Sequence, residues 1–354
     1  MTVVVEPGAI NWNVKQAVSQ AGLFYPPDPS STRICTLGGN VAENAGGPYG
    51  TKYGVTGDYV LDLEAVLASG KIIRTGSETR RNVTGYDLTG LLVGSEGTLA
   101  IVTRIVLRLV SKPEARLTAL IGFDDVKAAG EAVMAIGLAG VTPAALEIID
   151  DTAIECVEEF RGGTLPRDAA AVLLIEVDGE SESVRTQLDR ALKACMDEGG
   201  RLYREAGTES ESEEIWETRR SIAPALVNLA PSRIGEDISV PRGKVPEMLG
   251  YIRRIGNDHD LKIAVFGHAG DGNLHPNFLV DRRDLKVMQR AEAAIVELFT
   301  AAVDLGGTLS GEHGIGMSKA GYMKKAVSEE QLELMKGIKQ VFDPSGIMNP
   351  GKIF

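Results

Sequence analysis

Glycine is the feature that most limits what this chain can fold into. It supplies 41 of the 354 residues, about 12% against an ordinary ~7%, and it is gathered into a few stretches. Glycine weakens regular strands and helices, so where it clusters the backbone must bend sharply or another group must come close to it. The stretches are residues 26–54 (PPDPSSTRICTLGGNVAENAGGPYGTKYG), VGSEGTLAIVT from Val93, GHAGDGNLHPN from Gly267 and GTLSGEHGIG from Gly307. Ile34, Leu37, Val41 and Tyr53 are interspersed in the first of these, which predicts an ordered loop and not a linker.

Composition narrows the class. The length suits two domains, and a core of that size needs no disulfide or metal staple. A net charge of −12 demotes nucleic acid as a partner, and an anionic small molecule would need a local arginine or lysine. Cys35, Cys156 and Cys195 are odd in number and far apart. They fit a reducing, cytoplasmic setting and argue against zinc ribbons, cysteine-ligated iron–sulfur clusters and a disulfide scaffold. No apolar run reaches the ~18 residues of a membrane span, and the start, MTVVVEPGAINW, reads as a strand entering a turn and not as a signal peptide.

Periodicity predicts a strand at 2–5, a helix at 13–20 and strands at 60–68, 72–75 and 101–110. Lys112 and Pro113 mark a boundary. Beyond them strands at 117–123, 144–149 and 171–177 alternate with helices at 125–137, 151–160 and 181–198, an α+β pattern with helices packed on one face. TESESEEIWETRR begins as a solvated helix face. Strands at 263–267 and 276–280 bracket AGDGNL, and helices are expected at 289–304 and 329–342.

Only four histidines occur, His259, His268, His275 and His313, and the last three lie inside glycine-rich stretches. His268 and His275, facing each other across a hairpin, would be roughly 5 Å apart, within reach of one metal ion. Glu312 can add a carboxylate, and two histidines with one carboxylate leave coordination positions open, as at a catalytic divalent-metal site. In extended backbone His313 would face away from Glu312, toward a substrate, as a general base. A hydrogen-bonded polar network without metal remains the competing reading. GGNVAENAGG and GSEGTLAIVT offer backbone N–H groups to a phosphate or flat ring. Neither is a GxGxxG or a GxxxxGK[ST] loop.

Taken in order, PPDPSS, TLGGNVAENAGG, KYGVTGDYVL, NVTGYDLTGLLVGSEGTLAIVT, EDISVPR, GHAGDGNLHPN, GTLSGEHGIG and NPGK resemble the FAD-linked D-2-hydroxy-acid dehydrogenases. That family, which includes the glycolate oxidase flavin subunit, D-lactate dehydrogenase and D-2-hydroxyglutarate dehydrogenase, belongs to the vanillyl-alcohol-oxidase superfamily. The resemblance spans essentially the whole chain. It implies an α+β protein: residues 1–112 as part of a FAD-binding domain, 113–325 as an antiparallel-sheet-and-helices substrate (cap) domain, and 326–354 returning to the flavin. Implied flavin contacts are Asp28, Ser30, Gly38, Gly39, Asn44 and Gly46, then Glu96, Gly97, Thr98 and Ile101, and finally Asn349. Implied ligands of a zinc- or manganese-type ion are His268, His275 and Glu312, with His313 as base. Arg219 matches the arginine that pairs with the substrate carboxylate, and Asn277 a substrate-contacting asparagine; the bland reading of Arg219 is a surface ion pair with nearby glutamates.

The chemistry so implied is oxidation of a small 2-hydroxy acid, with His313 taking the hydroxyl proton as hydride leaves C2 for the flavin. Electrons would then pass to a separate acceptor: an iron–sulfur subunit, an electron-transfer protein, a quinone or oxygen. A homodimer is left open. Two departures stand out. Ala100 replaces the glycine usual in GTLG, placing a methyl group where backbone can lie against the flavin. The family's GAGTG-like pyrophosphate loop has no counterpart, so the chain is expected to lack the N-terminal lobe of the FAD domain. The alternatives are a non-flavin metalloenzyme using the two-His one-Glu site, or an inactive fragment or subunit that needs a separate N-terminal lobe.

Overall fold

A computed structural model describes residues 1–162 and 164–354. Its chain divides into two compact units. The first comprises Met1–Tyr49, Tyr53–Lys112 and Glu312–Phe354, and the second Gly50–Lys52 and Pro113–Gly311. The return to the first unit thus falls at Glu312, upstream of the expected residue 326. Hydrogen bonds fix it there: Ile315 and Gly316 donate their backbone N–H groups to the Glu96 carboxylate at 2.7 and 2.8 Å.

The first unit is built on a four-stranded antiparallel sheet. Its strands are β1 (Thr2–Val5), β3 (Val60–Val66), β4 (Ile72–Arg74) and β5 (Ile101–Arg108), in the order β1-β5-β3-β4. A small ribbon pairs β2 (Leu23–Phe24) with β6 (Val110–Ser111). The core gathers Tyr25, Leu37, Val41, Leu63, Ile105 and Leu107, and Ala100 is buried within it. The Ala100 methyl is therefore part of the packing. Within the segment read as a glycine-rich loop, Leu37–Glu43 forms a short helix, capped by the Thr36 hydroxyl accepting from the Gly39 N–H. Gly38 is required there by close approach: a Cβ would lie 2.6 Å from Pro7 Cβ. Its N–H already donates to Pro7 O at 2.8 Å.

The second unit carries β7 (Ala115–Phe123), β8 (Ala145–Asp150), β9 (Ala171–Gly179), β10 (Arg201–Glu205), β11 (Ser232–Gly235), β12 (Ile238–Ser239), β13 (Lys262–His268) and β14 (Asn273–Val280). They form one antiparallel sheet in the order β10-β7-β9-β8-β13-β14-β11, with β12 also on β14. Every residue of β8 is buried, as are all but the last of β9, so both faces of the sheet are covered at its centre and not one alone. Each fully buried Leu or Ile there contributes about 1.5–3 kcal/mol over an exposed one. Helices Val126–Leu138 and Ser181–Asp197 pack on β7 and β9.

The expected acidic helix is Glu209–Ala225, opened by a Thr208/Glu211 capping box. Its outer glutamates are solvated as read, but its inner face carries a polar row. Ser212, Trp216 and Arg219, at i, i+4 and i+7, lie on one side of the helix and meet Thr118 on β7, Glu176 on β9 and Glu147 on β8.

Asp150 ends β8 and caps the helix Asp151–Phe160. One carboxylate oxygen accepts from Ala153 N and the other from Val265 N on β13, both at 2.9 Å. Burial pushes this carboxyl up to about 7 against those two hydrogen bonds. The unfolded chain releases the same proton near pH ~4, so the stability this group contributes is complete below that and is lost as pH rises through about 7. Asp150→Asn keeps one acceptor for two donors and should cost about 1–3 kcal/mol. The penalty should be larger near pH ~5 than near pH ~8; equal penalties in urea unfolding at the two pH values would contradict this assignment. In the first unit, Gly38→Ala should cost about 1–3 kcal/mol through overpacking against Pro7. An unchanged melting temperature without added flavin would show that the contact does not constrain Gly38.

Candidate active site

In the second unit the expected residues converge on the sheet. His268 ends β13 and His275 lies in β14, but they are not directly opposite: His268 faces Asn273 and His275 faces Phe266. The two histidines are diagonal neighbours instead, and their ring centroids come within 5.2 Å at 88°. The turn joining them explains the local glycines. Gly272 has φ +86°, and a Cβ there would fall on Val240 O.

Both imidazoles lie near buried acids, and His268 is hydrogen-bonded to one. His268 Nδ1 lies 2.6 Å from Glu147 Oε1, and since a carboxylate only accepts, Nδ1 is the donor of that hydrogen bond. His275 Nδ1 lies 3.5 Å from Asp237 Oδ1. Asp237 is itself held by Asn273 Nδ2 at 2.6 Å, Ser310 Oγ at 2.6 Å and Gly311 N at 2.8 Å.

Arg219 is buried, so the surface ion-pair reading does not apply. Its Nη2 lies 2.6 Å from Glu147 Oε2, and its guanidinium stacks 4.8 Å above the Phe266 ring. Its buried Nε has no hydrogen-bond partner among the described residues. Burial opposes ionisation of Glu147, but His268 and Arg219 beside it prevail and hold its carboxyl below the usual range. Asn277 donates to His275 O at 2.8 Å and accepts from Arg233 Nη1 at 2.7 Å.

Glu147, Asp237 and Arg233 were not singled out by sequence reasoning. Glu147 had a readable signal, a lone carboxylate within the otherwise apolar run ALEII, where an ionised group is tolerated only with a buried partner. Asp237 stood inside EDISVPR without a role.

Glu312 and His313 belong to the first unit. They sit in a bend and not an extended strand, so their side chains do not diverge: His313 Nε2 lies 3.8 Å from Glu312 Oε1. His313 is exposed, and a Cβ on Gly46 would approach Glu312 Oε2 to 3.0 Å.

The other expected cofactor residues also lie in this unit, and several are engaged within the protein. Asp28 pairs with Lys15 at 2.6 Å, Gly39 N donates to Thr36 Oγ1 at 3.2 Å, and Asn44 accepts from Gly57 N at 2.7 Å. Thr98 Oγ1 caps Ser95 O at 2.7 Å, while Ser30 and Ile101 are exposed. Glu96 and Asn349 both have positive φ, 51° and 41°, and Asn349 Nδ2 donates to Glu96 O at 2.5 Å. Lys339 ties the C-terminal segment to the same loop through Thr98 O at 2.6 Å and Met348 O at 2.8 Å.

Two observations fit an added polar, planar cofactor. Buried Thr32 Oγ1 and Asn40 Nδ2 have no hydrogen-bond partners among the described residues. A Cβ on Gly97 would meet nothing nearer than Asn349 Nδ2 at 3.9 Å, which leaves backbone accessible beside the exposed Ile101.

Comparison with known proteins identifies the family. Residues 112–353 match the family of FAD linked oxidases, C-terminal domain, and residues 1–76 match a FAD binding domain. The glycolate oxidase subunit GlcD of Bacillus subtilis is 46% identical over 354 residues, covering all of this chain and 75% of that protein. A D-lactate dehydrogenase of Anaerostipes hadrus is 32% identical, covering 99% of this chain and 75% of that protein. Among solved structures, alkyldihydroxyacetonephosphate synthase shares the fold with a TM-score of 0.71 at 17% identity; the match covers 99% of this chain and 64% of that one. No helix among the described residues is long and apolar enough to cross a membrane. With a family match over more than half its length, the chain belongs to the FAD-linked oxidases.

Proposed function

We propose that the chain oxidises a small D-2-hydroxy acid, of glycolate or D-lactate type, to the 2-oxo acid. The observation that carries this reading is Arg219, a buried guanidinium whose Nε has no hydrogen-bond partner among the described residues and which shares the Glu147 carboxylate with His268. Burying an arginine with an unmade hydrogen bond is costly, and a carboxylate ligand would supply the missing acceptor in bidentate form. It also answers how a chain of net charge −12 attracts an anion. The relatives' names point to the same substrate class.

In this reading His268 and His275 hold a divalent metal, of zinc or manganese type, with His268 oriented by Glu147 and with Asp237 close to the His275 ring. The family resemblance implies Glu312 as the third ligand and His313 as the base that takes the hydroxyl proton. Asn277, fixed by Arg233, orients the substrate. FAD, when bound, supplies the hydride acceptor. The first unit would hold it through Gly97, Ile101, Asn349 and the segment bearing Thr32 and Asn40. There Gly38, Gly39 and Glu96 shape the loops, and Asp28, Ser30, Asn44, Gly46 and Thr98 flank them. A separate acceptor, such as an iron–sulfur subunit, an electron-transfer protein, a quinone or oxygen, would reoxidise the flavin.

The test is the visible spectrum of the FAD-loaded protein under anaerobic conditions. Adding glycolate or D-lactate should bleach the flavin band. A flavin-loaded protein that no 2-hydroxy acid bleaches, or one that never retains FAD, would overturn the reading. Arg219→Lys, which keeps the charge but loses the planar fork, should raise KM about 10–100-fold with a smaller effect on kcat; an unchanged KM would remove Arg219 from substrate binding. His268→Ala should lose the bound metal, as measured by elemental analysis. Full metal occupancy in that variant would exclude His268 as a ligand.

A further inference from the structure

Glu147 is the one carboxylate that touches both a proposed metal ligand and the proposed substrate-binding arginine. Oε1 accepts from His268 Nδ1 at 2.6 Å and Oε2 lies 2.6 Å from Arg219 Nη2. It is fully buried in the middle of the sheet, and both partners are buried with it. No other described acid contacts both groups.

We propose that Glu147 is a positioning residue that sets the metal site and the substrate site together: by holding the proton of His268 on Nδ1 it presents Nε2 as the ligand atom, and by engaging one edge of Arg219 it aims the remaining guanidinium N–H groups at the substrate carboxylate. The inference rests on the reading of His268 and Arg219 given above.

Three features of the fold support it. First, β8 is buried along its whole length, so Glu147 has no solvent conformation to relax into. Second, its two oxygens point at two different elements, β13 through His268 and the helix Glu209–Ala225 through Arg219. Third, that helix is anchored separately, by Trp216 Nε1 donating to Glu176 Oε2 at 2.7 Å and by the Thr118–Ser212 hydroxyl pair at 2.7 Å. Docking the helix therefore does not depend on Glu147 alone. The Glu147 contact governs where the guanidinium points. An acceptor at the far nitrogen of a ligating imidazole fixes ring orientation and raises basicity, and its loss typically weakens metal binding 10–100-fold.

The test compares Glu147→Gln and Glu147→Asp with the full wild-type chain. A glutamine at this position offers one acceptor and one NH2 group, so it must set a donor against either His268 Nδ1 or Arg219 Nη2. Zinc affinity, read by chelator competition without flavin or substrate, should fall about 10–100-fold in Glu147→Gln. Nitrogen NMR of the His268 ring in the metal-free protein should report the Nδ1–H tautomer in the wild type and its loss in Glu147→Gln. Glu147→Asp keeps the charge but is one methylene shorter. It should give an intermediate zinc affinity and a raised KM for the hydroxy acid.

A purely structural role would lower the melting temperature and leave tautomer and zinc affinity unchanged. Wild-type zinc affinity in both folded variants would overturn the proposal. So would an Nε2–H tautomer of His268 in the wild type, which needs no variant to fold. If the wild type bound no zinc or manganese, the metal reading would fail while the tautomer measurement still judged Glu147.

Discussion

A single buried carboxylate organises the second unit. Taking an acid out of water costs several kcal/mol unless oppositely charged or donor groups meet it, and Glu147 is met on both oxygens. That requirement runs outward through the fold. It asks for an arginine on a helix close enough to reach β8, which in turn asks for the row of Ser212, Trp216 and Arg219 along one side of Glu209–Ala225. It also asks for a histidine at the end of β13, where the glycine-rich turn to β14 begins. Removing Arg219 would leave a buried charge uncompensated, which typically costs about 3–5 kcal/mol, and removing His268 would leave one buried carboxylate oxygen without its donor.

The first unit answers a different constraint. Its glycine-rich segments divide into positions fixed by packing and positions open to a ligand. Gly38 is glycine because Pro7 occupies the space of a side chain, and its N–H is spent on the protein itself. At Glu96 and Asn349 the backbone adopts left-handed conformations without glycine, held by the Glu96 carboxylate accepting from the Ile315 and Gly316 N–H groups and by Asn349 Nδ2 donating to Glu96 O. Strain of that kind persists only where surrounding contacts hold it, and it gathers at ligand-binding sites.

Much of this was legible in the residues. The strands flanking AGDGNL and the histidines wrapped in glycine follow from periodicity and from the conflict between glycine and regular structure. What escaped was whatever depends on pairing across distance. Hairpin register was misjudged because the strands run one to three residues further into the turn than their apolar pattern, to His268 and from Asn273, which turns directly opposed histidines into diagonal ones. Glu312 and His313 were read as extended, and the bend brings their side chains together. Glu147 and Glu176 lie in apolar runs without a motif around them, and an ionisable group in such a run is itself a sign of a buried partner.

The central claim is that His268 presents Nε2 to a metal because Glu147 holds Nδ1. Anomalous diffraction from crystals of the protein soaked in zinc or manganese tests it directly. The account predicts a metal peak within about 2.0–2.2 Å of His268 Nε2 and of a nitrogen of His275, with the Glu147–Nδ1 hydrogen bond intact. A peak bound to Nδ1 of His268, or to Glu147 itself, would contradict it.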